Sequence, residues 1–281
     1  MMGPTMHPFD TLRHPSSAEA LAEALFHGQL LTIGGIDVLV QLQRRACQLV
    51  EAHFGPDPEV AEQHLCAEDF RRLTREARKA VANDPTIDDL WRQGLMALGY
   101  PPTHLEDDTL RRDRMLLRIV PSQVEAQSRV ARCLPAHRDS WASGIMAQIN
   151  WWMPLYPLAE TRTLVIWPEA FRTPVANTAA EWDYDALLSG RHKDYPRLPQ
   201  ARIHPQQPPL PVVIEPGTLL AFASAHLHAS TSDASGITRF SLDTRTVWLD
   251  DVAAGRGAPD VDGAGRPPRW EMFARRTAAA R

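Results

Sequence analysis

The chain has 281 residues, 44% hydrophobic and 23% charged, with a formal net charge of −4. This is an ordinary globular composition with length for one large domain or two small ones and an ample core. No basic footprint marks a nucleic-acid partner, and no apolar run approaches the roughly 18 residues of a membrane span. A soluble, cytoplasmic protein with no nucleic acid and no membrane as partner is the expectation.

The N-terminus lacks a basic stretch followed by an apolar one, so no signal peptide is expected. Cys47, Cys66 and Cys133 are too few and too scattered for a disulfide framework or a zinc ribbon. Buried free thiols in a reducing compartment are the expectation.

Residues 1–15 carry three prolines and no periodicity, which predicts a loosely packed arm. Ser16 and Glu19 form a capping-box pattern that opens a helix through His27. Leu30 to Gly35 is strand-like and ended by glycines. Val38, Leu39, Leu42, Cys47 and Val50 recur at helical spacing between Ile36 and His53. Asp57-Pro58 and Asp84-Pro85 are start signals for two further amphipathic segments, 58–83 and 85–98.

The texture changes after Tyr100-Pro-Pro. Arg114–Val120, Arg129–Cys133, Ser143–Leu155, Thr161–Trp167, Val212–Ile214, Thr218–Ala223 and Thr238–Leu249 are strand-like. Glu215-Pro-Gly217 is a turn. Residues 168–211 hold eight prolines, together with Trp182, Tyr184 and Tyr195. A short helix is expected near 180–189. Such an excursion between strands is commonly a lid or binding loop. After Asp250 only Trp270–Arg276 looks able to pack. Helices followed by many short strands predict an α+β chain whose sheet part is a sandwich or barrel.

The chemistry concentrates in Leu134-Pro-Ala-His-Arg-Asp-Ser-Trp-Ala-Ser-Gly144. On an extended chain, His137 and Asp139 fall on one face because strand side chains alternate. Two such groups can bind one metal ion, and His226-Leu-His228 offers a third ligand from a distant strand. Alternation does not choose between His226 and His228. Two imidazoles and one carboxylate leave open positions, as a non-haem Fe(II) oxygenase requires. Arg239 and Ser241 share a strand face, so a guanidinium and a hydroxyl can reach one carboxylate together, in a bidentate geometry that Lys cannot give.

This order of residues, His137-x-Asp139, then His228, Arg239 eleven positions beyond it and Ser241 two further on, resembles the Fe(II)/2-oxoglutarate-dependent dioxygenase superfamily. The nearest resemblance is to its phytanoyl-CoA dioxygenase-like branch. It covers residues 110–250 and rests on the His-to-Arg spacing, R-x-S and the upstream Pro-Gly turn. It implies a double-stranded β-helix, a jelly-roll or cupin-like barrel, with mostly N-terminal helices packed outside. One oxygenase domain, 1–281, is then expected. It would comprise a helical part over 1–100, a barrel over 110–250 with the 168–211 lid, and a tail over 251–281.

The resemblance further implies Fe(II), 2-oxoglutarate and O₂ as cofactor and cosubstrates, and His137, Asp139 and His228 as catalytic metal ligands. Arg239 and Ser241 would bind 2-oxoglutarate, with Gln148 or Asn150 hydrogen-bonding it or the substrate. Oxidative decarboxylation of 2-oxoglutarate would be coupled to hydroxylation, desaturation or cyclisation of a small polar metabolite. Halogenating members carry a small residue where this chain has Asp139, which favours hydroxylation. Arg118, Trp141, Trp152, His226 and Arg245 are candidate substrate contacts. For each there is a plain structural alternative: an ion pair with an Asp for Arg118, a pair with Asp243 for Arg245, core packing for the tryptophans, and a solvent-facing ring for His226.

His-Arg-Asp also occurs in protein-kinase catalytic loops, but Gly144 stands where that loop needs Asn, and neither a glycine-rich loop nor Asp-Phe-Gly is present. A hydrolytic zinc site would leave Arg239 and Ser241 without a task. The alternative from another class is a cupin-like protein that binds a metal or ligand without oxidising anything.

Overall fold

The computed structural model describes residues 10–12, 17–122, 127–128, 131–189 and 195–273. The segment 1–15 therefore lies mostly outside the described residues, as do Ser16, residues 129–130 and the end of the expected 270–276 segment. The elements in chain order are β1 (Asp10–Leu12), α1 (Ala18–Phe26), β2 (Leu31–Ile33), α2 (Asp37–Phe54), α3 (Ala67–Asn83), α4 (Pro85–Ala97), α5 (Pro102–Glu106), β3 (Leu110–Arg112) and β4 (Leu116–Val120). They continue with α6 (Ser140–Ser143), β5 (Gln148–Pro154), β6 (Leu164–Trp167), α7 (Tyr184–Ser189), β7 (Leu210–Pro211), β8 (Leu219–Ala223), β9 (Leu227–Ser230), β10 (Arg239–Trp248) and α8 (Leu249–Ala253).

Several boundaries differ from expectation. Ser17 caps α1, its hydroxyl accepting the Ala20 amide at 3.1 Å. The 58–83 segment is two pieces, a 3-10 turn over Pro58–Gln63 and then α3. The break falls at Cys66, whose sulfur accepts the Asp69 amide. Asp84 caps α4 as its Asp-Pro pair predicts. The strand expected at Val212–Ile214 is instead the two-residue β7, just upstream.

Two sheets form the β part. The larger has the order β1-β2-β8-β5-β10-β3, with β4 also on β10, and the smaller is β7-β6-β9. All pairings but the parallel β1–β2 pair are antiparallel. The ten-residue β10 is long enough to carry β4 along 239–243 and β3 along 246–248 on one edge, with β5 on the other.

Alternation divides the large sheet into two chemically distinct faces. Leu117, Ile119, Trp151, Met153, Ala221, Phe240 and Leu242 join the buried faces of α1–α4 in one apolar cluster. On α3 the contributors Phe70, Ala77 and Val81 recur at helical spacing. Trp91 packs edge-on against Trp151 with centroids 5.6 Å apart, and Phe54 against Phe240 at 5.4 Å. On the other face Trp152, Leu220 and Phe222 meet Leu164, Ile166 and Val212 beside the small sheet. Asn150, Arg239, Asp243 and Arg245 on that inner face border the cavity described next.

Candidate active site

His137 pairs directly with His228. Their backbones exchange hydrogen bonds of 2.9 and 3.0 Å in an isolated antiparallel bridge, and the rings stand 4.2 Å apart. The two imidazoles are thus cross-strand neighbours where the metal loop meets β9. Asp139 arrives differently. Its backbone is helical (φ −66°, ψ −30°) at the start of α6, so strand alternation is not what brings it beside His137. The chain turns into a helix, and that turn carries the carboxylate back. Asp139 Oδ1 lies 3.7 Å from His137 Nε2, and Oδ2 lies 4.0 Å from His228 Nε2. Both separations are below twice a metal–ligand bond of roughly 2.1 Å, so one ion can bridge Asp139 and either ring.

Each ring is held through its other nitrogen. His137 Nδ1 is 2.8 Å from the Pro135 carbonyl and His228 Nδ1 is 2.9 Å from the His226 carbonyl. A carbonyl only accepts, so both Nδ1 atoms carry the proton and both Nε2 lone pairs face the shared space. Burial, reinforced by His228, pushes the His137 pKa down to about 3. The ring is therefore neutral, the form a metal needs.

His226 does not share this geometry. It sits in the turn before β9, with its amide on the Ala223 carbonyl, so alternation with His228 does not apply. Its ring is fully buried, 4.5 Å from Phe171, with Nε2 3.2 Å from the Gly28 carbonyl. Burial lowers its pKa to about 4. It is neither solvent-facing nor on the cavity wall; its backbone carbonyl, rather than its side chain, serves the triad by orienting His228.

The triad opens into a cavity of about 190 Å³ lined by Arg118, Asn150, Trp152, Arg239, Asp243 and Arg245, with Leu116, Leu164 and Phe222 as apolar wall. Arg239 is 3% exposed. Its Nη2 donates to Ser230 Oγ at 3.2 Å, while Nε and Nη1 have no partner among the described residues. Burial draws its pKa down to about 10, and its guanidinium lies 5.9 Å from the Trp152 ring. Ser241 shares that face of β10 opposite Arg118, fully buried and with an unpartnered hydroxyl, but does not itself line the cavity. Gln148 is also off the cavity wall. Its Nε2 donates to Asn150 Oδ1 at 2.8 Å, leaving Gln148 Oε1 and Asn150 Nδ2 unpartnered. Each buried orphan of this kind costs on the order of 1–3 kcal/mol unless a ligand or water completes it. Of these residues, Asn150 and Arg239 border the cavity, where a polar guest could complete them.

Arg118 pairs with Asp243, at 2.7 Å. Arg245 pairs with Asp113 rather than with Asp243, because the chain between β3 and β4 brings Asp113 beside it. Trp141 departs from its expected role. It is fully buried away from the cavity, donating from Nε1 to Asp262 at 2.6 Å. Trp182 likewise turns inward and donates to the Pro196 carbonyl at 2.8 Å, which pins the excursion. Reading the sequence missed Asp113, which had no motif around it, and Arg138, hidden between the two ligands it supports.

No family model and no curated protein matches the chain. Solved structures do. EctD from S. alaskensis, determined with 2-oxoglutarate and 5-hydroxyectoine, aligns over 99% of this chain and 90% of its own at 18% identity, with a TM-score of 0.50. EvdO2 from Micromonospora carbonacea var. aurantiaca, complexed with 2-oxoglutarate, aligns over 60% of this chain at 13% identity and a TM-score of 0.40. EvdMO1 aligns over 59% at 16% identity and a TM-score of 0.34. The chain spans only 31% of EvdMO1 and 62% of EvdO2. These likenesses single out no branch, the phytanoyl-CoA dioxygenase-like one included. At such identity they concern architecture: a mixed helical and antiparallel-sheet fold shared with EctD. In that fold and in its His137, Asp139 and His228 triad, the chain resembles the Fe(II)/2-oxoglutarate-dependent oxygenases.

Proposed function

We propose that the chain is an Fe(II)- and 2-oxoglutarate-dependent oxygenase whose two sheets are the halves of a double-stranded β-helix, acting as a single domain over 1–281. The reading rests on one observation above all. The triad and Arg239, with two unpartnered guanidinium nitrogens, border the same cavity. His137, Asp139 and His228 would hold the iron. Arg239 and Ser241 would bind the oxo acid, with Gln148 or Asn150 hydrogen-bonding it or the substrate. When bound, iron with 2-oxoglutarate and O₂ supplies the oxidising power for a substrate C–H bond through decarboxylation of the oxo acid.

The chain's own groups do the rest. The Pro135 and His226 carbonyls hold both imidazoles in the ligating tautomer. Arg239 meets a carboxylate within an apolar wall of Trp152, Leu164 and Phe222, where water competes poorly and a charge-assisted hydrogen bond is strongest. Asp139 keeps a carboxylate in the ligand set, which favours hydroxylation, desaturation or cyclisation over halogenation. The Arg197 and Leu198 part of the 168–211 excursion lines the cavity and suits a lid.

Anaerobic addition of Fe(II) and 2-oxoglutarate tests the reading. The visible charge-transfer band of a chelated oxo acid is expected. It should be lost or weakened in His137→Ala, Asp139→Ala, His228→Ala and Arg239→Ala, and retained in His226→Ala if that variant folds. A folded, metal-loaded wild type without the band would leave a non-oxidising, cupin-like metal-binding protein as the better description.

A further inference from the structure

The cavity wall beyond Arg239 carries charges that the cofactor and cosubstrate do not need. On the inner face of β10, Arg239, Ser241, Asp243 and Arg245 alternate with the outward Phe240 and Leu242. Two guanidiniums there are already matched to carboxylates, and each match is one-sided. Arg118 places both Nε and Nη2 on a single Asp243 oxygen, Oδ2, at 3.0 and 2.7 Å. Asp243 Oδ1 and Arg118 Nη1 take no part in that pair, and both residues border the cavity. Arg245 likewise spends Nε and Nη2 on Asp113 Oδ2 and keeps Nη1. Asp113 stands behind Arg245 and does not border the cavity, whereas Arg245 and Asp243 both do.

The wall thus offers one carboxylate, Asp243, beside two guanidiniums, Arg118 and Arg245. Arg245 lines the same cavity as Asp139 of the triad. Asn150, opposite Arg245 in register, also lines the cavity and adds an amide side chain to that wall. Arg118 and Asp113 already neutralise Asp243 and Arg245, so a guest of a single sign finds a like charge beside the unlike one. A guest with both signs can set each end on an opposite charge without breaking either pair.

We infer that the substrate is a small dipolar molecule, whose anionic group is received by Arg245 and Asn150 and whose cationic or N–H donor group is received by Asp243. This rests on the oxygenase reading above for the term substrate, but the binding claim stands on the wall itself. The compact cavity and apolar floor of Leu116, Trp152 and Phe222 suit a short carbon skeleton between the two ends. Arg245 and Asp243 are then specificity-determining residues, distinct from the groups assigned to the oxo acid.

The test is a thermal-shift and calorimetric panel on the full chain with Mn(II) and 2-oxoglutarate. The panel consists of matched trios of one skeleton: an amino acid of either chain or ring type, its carboxylate-only analogue and its amine-only analogue. Shifts confined to dipolar members are expected. Affinity for them should fall about tenfold or more in Asp243→Asn and in Arg245→Gln, the loss of one charge-assisted contact. Circular dichroism would establish that each variant is folded, and the panel on the unaltered protein stands without them. Binding of carboxylate-only, amine-only or uncharged members as tight as the dipolar ones overturns the inference, and so does a panel in which no dipolar member binds. The charge-transfer band separates the two claims. If it is present and the panel fails, only this inference falls; if it is absent, the oxygenase reading falls.

Discussion

Arg138 and Asp262, 124 positions apart, form a buried ion pair with Nε 3.1 Å from the nearer carboxylate oxygen. Arg138 is 1% exposed. Its Nη1 donates to the Ala225 carbonyl, and its Nη2 to Ala170 and Thr173 at 2.8 and 2.9 Å. Asp262 in turn accepts Trp141 Nε1 and the Val175 amide. One guanidinium, lying between two candidate metal ligands, thus ties the metal loop, the start of the 168–211 excursion and the C-terminal tail together. Arg138→Ala strands a carboxylate in the interior and should cost about 3–5 kcal/mol, measured by urea denaturation of the metal-free protein. Arg138→Lys restores the charge but not the planar fork, so it should recover only part of that loss.

Gly144 ends α6, the short helix that presents Asp139, at φ +64°. A Cβ there would stand 2.8 Å from the Pro267 carbonyl oxygen and 2.9 Å from that of Arg266. Gly144→Ala therefore combines a left-handed backbone penalty of about 1–2 kcal/mol with a clash against tail backbone. The melting temperature should drop. Since α6 must shift to relieve the clash, the additional stabilisation conferred by Mn(II) should shrink too. A drop with an unchanged metal increment would show that Asp139 is held independently of this turn.

The helices α2 and α4 and the long strands were legible because their side-chain periodicity records which face is buried: Leu39, Leu42 and Val50 on α2, Phe240 and Leu242 on β10. The triad's residue types were legible from spacing, but the geometry proposed for them was not. His137 and Asp139 converge through a strand-to-helix turn, and His226 leaves the strand that its alternation with His228 presumes. Periodicity describes elements and is silent at their ends, where both residues lie. The role of the tail was invisible for a related reason. Asp262 and Gly144 act through single contacts made far along the chain, and those leave no local pattern.

Asp84 does two jobs at once. Its carboxylate accepts the Ile87 amide at 2.9 Å as the cap of α4 and meets Arg45 of α2 at 2.6 Å. Burial opposes its charge, but hydrogen bonds from Arg45 and from the Ile87 amide outweigh it and hold the pKa below the ordinary value. A lowered folded pKa gives stability that is present above about pH 4 and lost as pH falls through the folded value. Asp84→Asn still caps, so its deficit against wild type should be seen at pH 7 and shrink towards pH 3. Asp84→Ala should lose about 1 kcal/mol more, for the cap, at either pH. Denaturant titrations of the three proteins at both pH values measure this, and a pH-independent Asn deficit would count against the charge.

The expectation of three buried thiols holds only for Cys47; Cys66 is exposed and Cys133 half-buried. Burial pushes the Cys47 pKa up to about 11, and its sulfur packs within the main apolar cluster, 3.5 Å from the Leu155 carbonyl. Thiolate is the reactive form, so Cys47 is doubly protected, by access and by protonation. With a maleimide at pH 7.5, Cys66 should be modified first in the native protein. Cys47 should be labelled only when the α2 and sheet interface opens. Peptide mass spectrometry after a short pulse, with and without urea, assigns each site. Rapid native labelling of Cys47 would mean that α2 parts from the sheet far more readily than its packing implies.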